Sequence, residues 1–198
     1  MDQCHAELVS ASHQYNKKIL KQVQDDKKKS MQNLLFGKDI LSASQFDVSQ
    51  LDLVLSTAEK MRRLVNKKGG STLLQGKLMP ALFYEPSSRT FGSFVAAMQR
   101  LGGSFIPLQG VVYSSVAKGE TLPDTVRTFA SYSDIVVIRH PEVGSARIAA
   151  EFSDKPVINA GDGVGEHPTQ ALLDYYTIRR HFKKLRGLTV TMVGELLN

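Results

Sequence analysis

Ser133-Asp134-Ile135-Val136-Val137-Ile138-Arg139-His140-Pro141 is the stretch whose reading decides the fold. Four aliphatic residues stand in a row with no polar residue alternating among them, which describes a strand buried on both faces. Such strands belong to parallel sheets layered between helices, and the flanking sequence supplies both. On the amino-terminal side, Leu122, Val126 and Phe129 recur at helical spacing over 121–131. On the other side, a helix over 144–152, a second apolar strand at 156–159 and a helix over 168–182 follow in turn. Further upstream, a helix over 49–67 carries Leu51, Val54, Leu55, Ala58, Met61, Leu64 and Val65 on one stripe. Ser49 and Asp52 are positioned as a capping box, and Gly69-Gly70 are the stop. A strand at 77–84 leads into a helix over 88–101, and a strand at 104–108 comes next. Pro80 inside the 77–84 run predicts a strand near a sheet edge, because proline cannot donate to a ladder.

The order predicts an α/β fold: a parallel sheet with helices on both faces. At 188–193 it is followed by what reads as the first strand of a truncated second α/β domain, Leu188-Thr189-Val190-Thr191-Met192-Val193-Gly194. Three units are expected. Residues 1–31 form a polar, lysine-rich extension, 32–182 the main domain with a linking helix, and 183–198 the start of the second domain.

Of 198 residues, 42% are hydrophobic and 22% charged, enough to build a core. The formal charge is +6, and the six lysines among residues 1–31 account, against four acids, for +2 of it. Aromatics are not interleaved with these lysines, and no nucleic-acid-binding motif occurs, so nucleic acid is not an expected partner. No apolar run approaches the roughly 20 residues that span a bilayer. Met1–Glu7 lack the basic start and apolar centre of a secretory signal, and the lone Cys4 builds no internal disulfide. A cytoplasmic protein is expected, with no membrane partner and no zinc site.

Ligands of open parallel sheets bind outside the carboxyl ends of the strands. After the 77–84 strand comes Ser87-Ser88-Arg89-Thr90 at a helix start, where hydroxyls, unpaired backbone N–H groups and a guanidinium make an anion site, most naturally for phosphate. A simple N-cap with a solvent-facing arginine is the alternative. Arg139 follows an apolar strand directly, where it requires an anion, either a ligand or an internal carboxylate. Gly161-Asp162-Gly163-Val164-Gly165-Glu166-His167-Pro168-Thr169-Gln170 lets backbone approach a ligand, and His167 and Gln170, three residues apart, can face one pocket. Ser114 and Lys118 lie in a loop of small residues after the next strand. No Walker sequence, Gly-x-Gly-x-x-Gly, metal-ligand spacing or nucleophile elbow occurs.

Phe83-Tyr84-Glu85-Pro86-Ser87-Ser88-Arg89-Thr90, Lys118-Gly119-Glu120-Thr121-Leu122, Val137-Ile138-Arg139-His140-Pro141 and residues 158–173, in this order, resemble the aspartate carbamoyltransferases. The resemblance covers about residues 33–195 and is to the amino-terminal, carbamoyl-phosphate-binding half. It implies a transferase of pyrimidine (UMP) biosynthesis that moves the carbamoyl group of carbamoyl phosphate to the amino group of L-aspartate, giving N-carbamoyl-L-aspartate and phosphate, with no cofactor and no metal. By this resemblance Ser87, Ser88, Arg89 and Thr90, joined by Arg139, hold the phosphate. Thr90, Arg139 and His167 contact the carbamoyl oxygen, and Gln170 holds the carbamoyl amide. Ser114 and Lys118 match positions that reach a neighbouring subunit's site, which implies a homotrimer with shared active sites and leaves room for a regulatory chain.

Two departures matter. The family's Ser-Thr-Arg-Thr is Ser-Ser-Arg-Thr here, which keeps the hydroxyl. Past Gly194 the chain reads Glu195-Leu196-Leu197-Asn198, without the aspartate-binding residues, so little turnover is expected from this chain alone. Ornithine carbamoyltransferase and a catalytically incompetent carbamoyl-phosphate-binding module are the alternatives.

Overall fold

In the computed structural model, residues 34–110, 119–182 and 185–193 are described; the 1–31 extension and the loop residues Ser114 and Lys118 lie outside them. Helix α1 (Val48–Lys68) starts one residue earlier than its spacing predicts. Its capping box is accordingly Asp47 with Gln50, not Ser49 with Asp52: the Asp47 carboxylate accepts from the Gln50 N–H at 2.8 Å and the Gln50 side chain accepts from the Asp47 N–H at 2.9 Å. Gly69 ends it in the left-handed conformation.

Four strands follow: β1 (Leu78–Phe83), β2 (Ser104–Gln109), β3 (Val136–His140) and β4 (Val157–Asp162). Between and after them come α2 (Ser88–Arg100), α3 (Leu122–Ala130), α4 (Ser145–Glu151) and α5 (Pro168–His181). All strands pair in parallel in the order β2-β1-β3-β4. From β1 the chain moves one way to β2 and then returns past β1 to β3 and β4. The order therefore reverses between β1 and β3, and a crevice opens there at the carboxyl ends of both strands.

Leu82 of β1 and Tyr84 just after it face one core, where they meet Val126 and Ala130 of α3 and Ala146 and Ala149 of α4. Odd-numbered residues of β1 face the other, where Met79, Ala81 and Phe83 meet Met98 of α2, with Phe91 and Phe94 packed around them. Helices thus cover both faces, and burial on both sides is why these strands read as unbroken apolar runs. On the α2 side, α1 is clamped to α5: Tyr176 Oη donates to Glu59 at 2.7 Å and Arg179 pairs with Asp52 at 2.6 Å.

Pro80 is not near an edge. It is fully buried in β1, between two partner strands. The β1–β3 pairing begins one residue later, at Ala81, and the neighbouring Leu78 N–H on that side is met by the Asp134 carboxylate at 2.9 Å. A residue with no N–H is tolerated where the ladder has not yet begun. The other oxygen of Asp134 accepts from Lys77 Nζ at 2.7 Å. Asp134→Ala leaves the Leu78 N–H without this partner and is expected to cost about 1 kcal/mol, readable as a lower urea midpoint at unchanged slope.

A second correction concerns residues 188–193, which form no strand. Val190 is 59% exposed and Val193 93%. An apolar, β-branched run reads as a strand but becomes one only when a neighbouring strand pairs with its backbone, and among the described residues no strand does so. No helix among the described residues is long and apolar enough to cross a membrane.

Candidate active site

The crevice between the carboxyl ends of β1 and β3 opens into a cavity of about 820 Å³. Its polar end is built from three segments. Ser87, Arg89 and Thr90 come from the start of α2, Arg139 from β3, and His167 and Gln170 from the start of α5. Val54, Leu55 and Ala58 of α1, Phe94 and Ala97 of α2, and Leu172 and Leu173 of α5 make the apolar wall. The apolar stripe of α1 thus lines the site, which its spacing alone did not distinguish from ordinary core. Ser88 is exposed at the first position of α2 and is not part of the wall.

Ser87 is the N-cap of α2, yet its side chain makes no capping hydrogen bond. Its hydroxyl and the first-turn N–H groups are left to whatever occupies the cavity, at the positive end of a 13-residue helix.

Arg139 stands within β3, not after it as expected, because the strand runs on through His140. A register shift between Ile138 and His140 accompanies the extension. Its guanidinium donates to the Ala160 carbonyl at 3.1 Å and pairs with Glu85 at 3.2 Å. Pairing is incomplete: Arg139 Nε and Glu85 Oε2 are both buried without a partner. Arg139 thus lines the cavity with its hydrogen bonding only partly met by the protein, while an internal carboxylate balances its charge. Glu85 is the residue that sequence reasoning missed; it sits inside the Phe83–Thr90 motif, but nothing local announces a partner 54 positions away.

Gly161 explains how Arg139 fits. Its φ is +120°, and a Cβ there would collide with the arginine's guanidinium nitrogen.

His167 is the N-cap of α5 and its Nδ1 accepts from the Gln170 N–H at 3.4 Å, with Thr169 Oγ1 at 3.3 Å. In the neutral ring the proton therefore sits on Nε2, which becomes a donor. Burial, then the positive charge of Arg139, hold its pKa below the ordinary imidazole value, against a smaller opposing pull from Asp174. The ring is a neutral hydrogen-bond donor near pH 7. The Gln170 amide donates to Asp174 at 3.0 Å.

His140, next to Arg139 in β3, packs against Tyr84 with the rings tilted by 52° and their centroids 4.8 Å apart, and its pKa is likewise pushed down, chiefly by burial. Both histidines set a pH dependence. The unfolded chain takes up these protons at the ordinary value and the folded chain only at lower pH, so their contribution is intact above that value and is lost as pH falls through it. Thermal stability is expected to fall from roughly pH 6.5 downward, whereas carboxylates held low, such as Asp134 beside Lys77, act only below about pH 4. A melting temperature that is flat or rising between about pH 7 and 5 would contradict this. Among the described residues no group of three or more His, Cys, Asp or Glu side chains is arranged to hold a metal ion.

Residues 38–180 match the family model described as aspartate/ornithine carbamoyltransferase, carbamoyl-P binding domain. The chain is 51% identical over 163 residues to the aspartate carbamoyltransferase catalytic subunit of Thermoplasma acidophilum, covering 82% of this chain and 53% of that one. It is 56% identical over 164 residues to the multifunctional protein pyr1-3 of Dictyostelium discoideum, covering 83% of this chain and 7% of that one. The crystal structure of aspartate transcarbamoylase from Trypanosoma cruzi in complex with carbamoyl phosphate superimposes with a TM-score of 0.72 at 48% identity, over 76% of this chain and 46% of that one. The chain spans about half the length of the single-function relatives it matches.

Proposed function

We propose a function from one premise: the chain belongs to the aspartate/ornithine carbamoyltransferase family, as its carbamoyl-phosphate-binding domain. The whole protein transfers the carbamoyl group of carbamoyl phosphate to the amino group of L-aspartate, giving N-carbamoyl-L-aspartate and phosphate for pyrimidine synthesis. The observation that carries this reading is the meeting of Ser87, Arg89, Thr90, Arg139, His167 and Gln170 in one cavity at the point where the strand order reverses.

The start of α2 and Arg89 bind the phosphate, with Ser87 supplying a hydroxyl and Arg139 a second cation. Thr90, Arg139 and the Nε2–H of His167 surround the carbamoyl oxygen. The aspartate amine attacks the carbamoyl carbon, negative charge grows on that oxygen, and the donors aimed at it stabilise the charge as the carbon–oxygen bond to phosphate breaks. Gln170 orients the carbamoyl amide, and fixing both reactants lowers the entropic part of the barrier. No covalent enzyme intermediate is required.

Residues 183–198 begin the aspartate-binding half, Ser114 and Lys118 complete a neighbouring subunit's site in a homotrimer, and a regulatory chain can attach to it. The protein works in the cytoplasm.

Calorimetric titration of this chain with carbamoyl phosphate, with inorganic phosphate as competitor, tests the reading; aspartate is then added and N-carbamoyl-L-aspartate assayed. Saturable binding that phosphate displaces is the expected result. Absence of any carbamoyl phosphate binding overturns it.

A further inference from the structure

We propose that Glu166 is a positioning residue that sets the catalytic histidine by tying its loop to the turn at Ser42. The inference rests on the reading that His167 contacts the carbamoyl group.

The loop from β4 to α5 carries His167 at its end, and glycines at 163 and 165 leave it little stiffness of its own. Its rigidity comes from two sources. Inside the loop, Asp162 accepts from the Glu166 N–H at 2.6 Å and from the Gly144 N–H at 2.8 Å, and its own N–H donates to the Glu166 carbonyl at 3.2 Å. From outside, both Glu166 carboxylate oxygens are engaged by a segment more than 120 residues earlier: Ser42 Oγ donates to Oε1 at 2.7 Å and the Ala43 N–H to Oε2 at 2.7 Å.

That earlier segment is itself held firmly. Ser42 caps the short 3-10 turn Ala43–Gln45, and Gln45 closes it by accepting from the N–H groups of Leu41 at 2.7 Å and Ser42 at 3.0 Å. Ile40 pairs with β4 through hydrogen bonds of 2.8 Å to Val157 and from Asn159. Asn159, buried within β4, donates to the Leu41 carbonyl at 3.1 Å and, at 3.4 Å, to that of Glu166. The Glu166 side chain thus points away from the cavity and grips a fixed strut, while the next residue points in. A bidentate carboxylate restricts rotation as well as distance, which a single contact would not do. Among the described residues the Glu166 carboxylate bonds only to Ser42 and Ala43, so it acts through His167's backbone position.

The test uses the 198-residue chain, three single variants, Glu166→Ala, Glu166→Gln and Ser42→Ala, and the double variant that combines Ser42→Ala with Glu166→Ala. His167 is followed by its imidazole NMR titration, and binding by calorimetry with carbamoyl phosphate and with inorganic phosphate. In Glu166→Ala the His167 titration is expected to move up toward the ordinary imidazole value as the ring leaves its half-buried seat. Carbamoyl phosphate affinity is expected to fall about tenfold and phosphate affinity by less than about twofold, since the phosphate contacts lie on α2 and Arg139 rather than on His167. Glu166→Gln, which keeps one acceptor for Ser42 Oγ, should recover part of both changes, and combining Ser42→Ala with Glu166→Ala should add little to the latter alone. An unchanged His167 titration in a Glu166→Ala chain that merely melts earlier would overturn the proposal. If the parent chain binds neither ligand, the functional reading fails, yet the titration still decides whether Glu166 sets His167.

Discussion

Arg89→Ala is expected to weaken carbamoyl phosphate binding by about 30- to 700-fold, equivalent to about 2–4 kcal/mol. Arg89 is exposed on the first turn of α2 and lines the cavity next to an N-cap serine with no capping bond. Removing it takes away a full charge and a forked donor while leaving the helix start intact, so stability should hardly change. Inorganic phosphate should lose affinity in parallel, since the contact is with phosphoryl oxygens. Equal affinities in variant and parent would remove Arg89 from the anion site.

Gly161→Ala is expected to act on both stability and binding. A side chain at φ +120° is strained wherever it occurs, and here the new Cβ also meets the Arg139 guanidinium. Relief requires Arg139 to abandon the Ala160 carbonyl and Glu85, whose carboxylate would then be left partly buried and unpaired. A loss of about 2–4 kcal/mol in denaturant unfolding, with anion binding largely abolished, is the expected outcome. Gly92→Ala is the control: it lies within α2, a Cβ there meets nothing within 4 Å, and alanine should stabilise the helix by about 0.5–1 kcal/mol. Should Gly161→Ala behave like Gly92→Ala, Arg139 is not confined as described.

Family membership bears on how these results are read. Relatives named as aspartate carbamoyltransferase catalytic subunits are about twice as long as the stretch matched here, so binding by this chain and turnover by a whole protein are separate measurements. Loss of binding in Arg89→Ala speaks to the domain in hand; the reaction with aspartate does not enter it.

The sequence by itself determined the elements and their class. Helical spacing marked α1 to α5, and the unbroken run Ile135–Ile138, with no alternation, required a strand covered on both sides. Ser-Ser-Arg-Thr at a helix start carried its own electrostatic meaning, because the helix terminus and the guanidinium are only two residues apart. These signals are local, and local physics suffices to read them. What only the tertiary structure decided depends on groups far apart in the chain. The exchange of Pro80's expected edge for an interior strand follows from where the β3 ladder begins. The failure of 188–193 to become a strand follows from the lack of a partner among the described residues, although its pattern is as strand-like as any. The pairing of Arg139 with Glu85, the demand for glycine at 161 and the grip of Ser42 on Glu166 leave no trace in spacing or composition. Each is a contact between a side chain and a surface that exists only once the sheet has assembled, and a strand pattern records what a residue is, not which neighbour it will meet.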